Sequence, residues 1–253
     1  MELSNVLWIG GPAGAGKTTV ARRLARRHGL RWYNSDSRTW IHRERARVAG
    51  VPVPDRGPGH NLYDRAPMIA DDLRALPVYP LVVAEGGPIT PAMVTSTRTS
   101  GRAVWLMPSR EVQHDRLSRR HPEGVPAYYL QTWDRLTTTL ADSPVTTLVV
   151  DSLTEEETLA EVERIFASAL ANGPTATGVD ERRALVRYGN DALVTQHAGP
   201  LTRSEVPVDT STVVRTFDCE CADPACTALV DLVVADAVAA VAQPAPSILV
   251  PGH

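Results

Sequence analysis

The sequence predicts an α/β fold, a parallel sheet between helical layers, followed by a small C-terminal α+β extension. Three observations predict it. Across residues 1–170, short apolar runs alternate with stretches of helical periodicity, the pattern of parallel strands joined by crossover helices. The first apolar run ends in a glycine-rich loop that opens into a helix. Beyond that, the Gly/Pro/Thr-rich stretch ANGPTATG (171–178) reads as a linker. These boundaries give a first domain over residues 1–171, a linker over 172–179 and the extension over 180–253.

Val6–Gly10 is the first strand. The segment that follows, Gly11-Pro12-Ala13-Gly14-Ala15-Gly16-Lys17-Thr18, fits G-x-x-x-x-G-K-[ST], the phosphate-binding loop. Its glycines let the backbone bend so that successive N–H groups face the phosphates of a nucleotide. Lys17 would reach the same phosphates, the Thr18 hydroxyl would sit on Mg²⁺, and Thr19 continues the loop into the helix. Lys17 is the only lysine; the other 25 of the 26 Lys and Arg residues are arginine. An ammonium acts as a point charge on phosphate in a way a planar guanidinium does not copy. The loop therefore predicts a fold of the P-loop NTPase type, a three-layer sandwich.

The first helix, Thr18–His28, can end at Gly29. Its Arg22, Arg23, Arg26 and Arg27 read as a solvated face. Arg31–Asn34 is a short second strand, then Ser35-Asp36-Ser37, and Thr39–Ala49 is a helix. The irregular Gly50–Pro67 is long for a plain connection and would cover a substrate pocket, lined by Arg56, His60, Tyr63, Asp64 and Arg65. A helix at Met68–Leu76 and a strand at Leu81–Ala84 follow, ending in Glu85-Gly86-Gly87. Thr90 and Pro91 open the next helix. Ala103–Met107 is the fourth strand, and Ser109 caps a helix from Arg110 to Arg120. Tyr128–Ala141 is helical, Thr147–Val150 is the fifth strand, and a capping box at Thr154–Glu157 starts a helix over Glu155–Leu170. In the extension, Asp180–Tyr188 reads as a helix, Thr212–Glu220 as a strand and Ala228–Val241 as strand then helix. The end, QPAPSILVPGH, reads as poorly ordered.

Composition narrows the partners. Hydrophobic content of 43% suffices for a core, and a net charge of −3 gives no pull toward nucleic acid or anionic membrane. No apolar run approaches the roughly 20 residues that span a bilayer. The start has no basic, signal-like stretch, which predicts a cytoplasmic protein.

The order of these motifs resembles the small P-loop kinases that include shikimate kinase, gluconate kinase and chloramphenicol phosphotransferase. The likeness covers about the first 170 residues: GGPAGAGKTT, an acid after the second strand (NSD), a Gly-Gly turn after the third (AEGG), and an arginine-bearing helix with a lid (SREVQHDRLSRRHPEG). The resemblance implies an ATP- and Mg²⁺-dependent transfer of phosphate to a hydroxyl of a small molecule: a polyol, sugar, nucleoside or antibiotic. It implies Asp36 as base or substrate anchor, with a helix cap as the competing reading. Glu85, Gly86, Gly87 and Arg56 would contact substrate, or Glu85 a metal-bound water. Arg120 and Arg116, one turn apart, would stabilise transferring charge, with Arg119 less well placed. Asp151–Thr154 would hold the nucleotide base. No hydrophobic run ending in Asp supplies a second metal anchor, so Asp36 and Glu85 both stand for it. A different class, a nucleotide-switched regulator whose extension binds a partner, is the alternative.

The extension carries Cys219, Cys221 and Cys226 as C-x-C-x₄-C. Short thiol spacing suits Zn²⁺, but a structural site wants four ligands, and His197, His253 or a carboxylate would have to supply the fourth. Reduced structural cysteines and a redox pair are the other readings. The extension would serve for packing or for a homodimer.

Overall fold

The computed structural model describes residues 3–53, 63–97, 99–203 and 209–253. Five short strands form one parallel sheet: β1 (Val6–Gly10), β2 (Arg31–Asn34), β3 (Val82–Glu85), β4 (Ala103–Met107) and β5 (Thr146–Val149), in the order β2-β3-β1-β4-β5. All neighbours run parallel, with Ile9 opposite Glu85 and Glu85 opposite Asn34. The inner strands are apolar on both faces because helices cover both. Strand alternation sorts their side chains into two cores. Leu7, Ile9, Val83, Val104 and Leu106 face one side with Leu24, Leu159 and Phe166. Val6, Trp8, Val82, Ala84 and Trp105 face the other with Ile69, Leu73 and Met93.

The helices of this part are α1 (Lys17–His28), α2 (Thr39–Val48), α3 (Ala66–Ala75), α4 (Pro91–Ser96), α5 (Arg110–Arg120), α6 (Ala127–Ala141), α7 (Glu155–Ile165) and α8 (Ala167–Asn172). Thr90 and Ser109 accept from the backbone amides of Met93 and Val112, and Thr154 and Glu157 form the expected capping box. The helix expected over Glu155–Leu170 is instead two. It breaks at Phe166, a fully buried residue that separates the two segments.

The extension comprises α9 (Val179–Arg203), an antiparallel hairpin of β6 (Val214–Asp218) and β7 (Leu229–Val233), and α10 (Val234–Val241). Helix α9 runs well past Tyr188. Gly189 lets α9 lie against the Trp32 ring; a Cβ there would stand 3.0 Å from its nearest carbon. Leu193, Val194, Phe217, Ala237 and Ile248 join the same core as Leu7 and Ile9.

Two expectations are corrected. The terminal segment is ordered: Ile248 is buried, and the amides of Ser247 and Ile248 donate to Glu220 at 2.9 and 3.4 Å. The arginine face of α1 is a seam rather than a solvated face. Arg22 pairs with Asp218 at 2.7 Å. Arg26 donates to the carbonyls of Cys219, Cys221 (3.1 Å) and Asp223 (3.3 Å). Arg23 and Arg27 reach Glu155, Glu156 and Glu163 on α7. Amphipathicity marks such a face as polar without saying what the polar groups meet.

Candidate active site

The phosphate loop leaves β1 through Gly11 at φ +134°, where a Cβ would lie 2.3 Å from the Leu106 carbonyl oxygen. A side chain there would push the loop off β4. Helix α1 starts at Lys17 behind Gly16, with no side-chain cap on its first turn. Its leading N–H groups and the positive end of its dipole are thus directed to the loop interior, the arrangement that holds anions. Lys17 is buried and donates to the Pro12 carbonyl at 2.9 Å across the loop. Burial lowers its pKa below the ordinary lysine value, while Glu85 and Asp36 act in the opposite sense. From outside, Gln113 on α5 donates to the Ala13 carbonyl at 3.0 Å and fixes the loop.

The next two strands along the sheet, β3 and β2, deliver the rest. Glu85 ends β3, is buried, and accepts from the Thr18 hydroxyl at 3.1 Å through Oε2. Its other oxygen, Oε1, is buried with no hydrogen-bond partner among the described residues. Burial, then the nearby Asp36, pushes its pKa up to about 7 against the pull of Lys17. A buried oxygen without a partner costs free energy, and a cation or its water could satisfy it. Asp36 follows β2 on a 3₁₀ turn over Ser35–Arg38. The cap of that turn is Asn34, whose side chain accepts from the Asp36 amide at 2.9 Å. The Asp36 carboxylate instead accepts from the Gly87 amide at 3.5 Å. Gly86 is required beside it: at φ +135°, a Cβ would stand 2.0 Å from Ser35 Oγ.

A network behind Asp36 was not legible beforehand. Asp72 on α3 accepts from Tyr33 Oη (3.0 Å), His42 Nε2 (2.9 Å), Arg38 (3.1 Å) and Arg45 (2.6 Å). Burial works to raise its pKa, but the hydrogen bonds from His42, Arg45 and Arg38 outweigh that and hold it well below the carboxylate range. His42 accepts from Arg65 at Nδ1 (3.1 Å), which leaves Nε2–H to donate to Asp72. Arg65, also buried, donates to the Ser35 carbonyl at 2.6 Å, so the chain of bonds runs from α3 to the turn that carries Asp36. The available signal was Asp72 at i+3 from Ile69 on the inward face of its helix.

Of the residues expected around the acceptor, Tyr63 and Arg65 are buried, and Asp64 is exposed, accepting from the Ala66 amide at 2.9 Å. Arg56 and His60 lie outside the described residues. Arg116 reaches the Gly14 carbonyl (3.2 Å) and the Val150 carbonyl (3.3 Å), so it ties α5 to the phosphate loop. Arg120 is exposed, and its charge is close enough to depress the Lys17 ammonium. Arg119 pairs with Asp115 on the surface. Asp151 accepts from the Ser109 amide at 2.6 Å, at the start of α5.

No family model matches the chain. Over 116 residues it is 36% identical to a shikimate kinase of Nitrobacter winogradskyi. Over that stretch the chain is similar to a small P-loop kinase. That match covers 44% of this chain, and the chain spans about half (50%) of the length of that relative. Similar solved structures include a gluconokinase from Sinorhizobium meliloti 1021, at 21% identity over 68% of this chain and 94% of that one with a TM-score of 0.42. A sugar kinase from Janibacter sp. HTCC2649 is similar at 20% identity over 66% and 96%, with a TM-score of 0.46.

Proposed function

We propose that this chain is an ATP-dependent phosphotransferase that moves a γ-phosphoryl group to a hydroxyl of a small molecule. The observation that carries the reading is the convergence of Lys17, the Thr18–Glu85 pair and Asp36 at the carboxyl ends of three adjacent parallel strands, where open α/β sheets bind ligands.

In this reading the backbone of 11–19, through the N–H groups that Pro12 alone lacks, and the Lys17 ammonium grip the triphosphate. Thr18 and Glu85 hold Mg²⁺, directly or through its water; the orphaned Glu85 Oε1 and its raised pKa fit a carboxylate waiting for a cation. When bound, the cation neutralises charge on the phosphates. Asp36 accepts the proton of the acceptor hydroxyl and orients its oxygen. Gly86 and Gly87 let substrate approach the backbone beside it. Arg116 and Arg120 face the phosphate side from α5, next to the His121–Gly124 lid, and Arg120 stabilises the transferring group when the lid closes. The acceptor is a polyol, sugar, nucleoside or antibiotic. Among the described residues no helix is long and apolar enough to cross a membrane. A cytoplasmic setting follows from the use of ATP.

The test is a panel of hydroxylated metabolites and antibiotics incubated with ATP, Mg²⁺ and the purified chain, read by mass for an added phosphate. ADP release that depends on one acceptor is the expected result. Nucleotide-dependent binding to a protein partner, with no phosphorylated small molecule formed, would replace this reading with a nucleotide-switched regulator.

A further inference from the structure

Far from the phosphate loop, the hairpin end of the extension gathers Cys219, Cys221, Cys226 and His253, whose ligand atoms all lie within 4.8 Å of one another. We propose that these four residues hold a structural Zn²⁺ that fastens the extension to helix α1. This inference does not depend on the kinase reading.

The spacing fits a tetrahedral site. Zn–S bonds of about 2.3 Å and Zn–N bonds of about 2.0–2.1 Å place sulfur roughly 3.6 Å from nitrogen along a tetrahedral edge. His253 Nδ1 lies 3.5 Å from Cys219 Sγ and 3.7 Å from Cys226 Sγ. All three thiols are free and buried, in a small apolar shell with Ala228 and Val250. Three sulfurs and one imidazole complete the closed, four-ligand set of a structural site and leave no open coordination position.

The ligands come from two distant segments, and a separate polar framework brings them together. Glu220, between the first two cysteines, is wholly buried. Its carboxylate accepts from the amides of Ser247 and Ile248, and its own amide donates to the Ile248 carbonyl at 2.6 Å. Asn190 and Arg187 on α9 balance it at 3.1 and 3.5 Å. Arg187 also gathers the carbonyls of Ala240 and Val241 at 3.2 and 2.9 Å. That framework delivers the segment ending at His253 to the cysteines. On the other side, the turn from Cys221 to Cys226 is closed by the Cys226 amide on the Asp223 carbonyl (3.2 Å) and the Ala225 amide on the Asp223 side chain (2.8 Å).

Charge fits as well. Zn²⁺ with three thiolates and a neutral imidazole carries one net negative charge. The Arg26 guanidinium stands 3.7 Å from Cys221 Sγ while it binds the carbonyls of Cys219, Cys221 and Asp223. It is the charge-assisted outer contact that metal-bound thiolates take. Because Arg26 belongs to the helix that opens at Lys17, the metal site and the phosphate loop stand on one rigid element.

Metal analysis of the full chain, purified without chelator, is expected to find one zinc per chain. Replacement by Co²⁺ is expected to give the visible bands of a tetrahedral site and a thiolate-to-cobalt band in the near ultraviolet. His253→Ala changes an exposed residue and keeps the extension folded by circular dichroism; it should weaken Zn²⁺ binding by about tenfold or more, measured against a chromophoric chelator. Cys221→Ser with Cys226→Ser should reduce zinc to background. A chain that is metal-free as isolated and does not compete with the chelator for added Zn²⁺ would overturn the proposal. So would full zinc retention in the double cysteine variant, or cobalt bands that do not change in His253→Ala.

Discussion

The sheet-bearing part of the chain and the extension are held by different forces. In the first, β1 and β4 are buried at every position and pack apolar side chains into two cores. In the second, every position of β6 and β7 is exposed or half-buried except Phe217, whose ring is fully buried against the sheet core. Burial of such a ring contributes about 2–3 kcal/mol. Leu193, Val194, Ala237 and Ile248 add smaller apolar contacts to the same core, and a polar set completes the join: Arg22 and Arg26 from α1, Arg187 and Asn190 from α9, and the buried Glu220. Helix α1 therefore carries the proposed phosphate site at its first turn and the extension along its flank, and variants on that one helix separate them.

The largest effect is expected at the first turn. Lys17→Ala should lower turnover by roughly 10³-fold and strongly weaken nucleotide binding, as loss of a preorganised charge at the transferring group does. The thermal midpoint should not fall, since the variant removes a buried ammonium whose pKa burial already lowers. Calorimetric titration with an ATP analogue and a melting curve check the two halves. Asp36→Asn comes next. Nucleotide affinity should be kept while kcat drops roughly 10²-fold or more; near-normal kcat would remove the carboxylate from proton transfer.

Glu85→Gln tests the metal side through pH. The carboxyl ionises near its usual 4.5 when unfolded and at about 7 when folded. Between those values the folded chain keeps a proton that the unfolded chain has lost, so this group subtracts stability as pH rises from 4.5 to 7. The full gap is worth roughly 3 kcal/mol. Without divalent cations, the Gln variant should be more stable than the parent at pH 8, and that advantage should vanish toward pH 4.5. Mg²⁺ should raise the parent's melting temperature at pH 8 and leave the variant unmoved. Equal pH dependence in both would mean that Glu85 does not titrate there.

The difference between the two parts also decides what could be read in advance. The parallel sheet was legible because buried strands are unbroken apolar runs and because GGPAGAGKTT is specific. The positions of Asp36, just past β2, and Glu85, at the end of β3, could be read from the sequence. Their surroundings could not: Asp72, His42 and Arg65 meet through the fold, and the acidic side chain on α3 carries no local mark of its four partners. The terminal segment reads as loose because its prolines forbid regular structure, yet a carboxylate 27 residues away anchors its amides. Likewise, α9 continues through Gly189, which packs closely on Trp32, and tertiary packing of this kind overrides local propensity.

The smallest predicted effect is the sharpest on the comparison, because it sets two arginines of α1 against each other. Arg26 gives its guanidinium to three carbonyls of the cysteine turn. Arg23, three residues earlier, pairs with Glu155 and Glu156, whose side chains are 65% and 60% exposed. Exposed pairs contribute at most about 1 kcal/mol and are screened by salt. Arg26→Ala should therefore cost about 1–2 kcal/mol, the share of charge-assisted hydrogen bonds left after partial exposure, and lower the midpoint by roughly 3–6 °C. Arg26→Lys should recover little, because one ammonium cannot span three carbonyls. Arg23→Ala should change the midpoint by less than about 2 °C, and less still in high salt. Equal losses at both positions would mean that general helix charge, rather than the carbonyl clamp, joins the extension to the phosphate-loop helix.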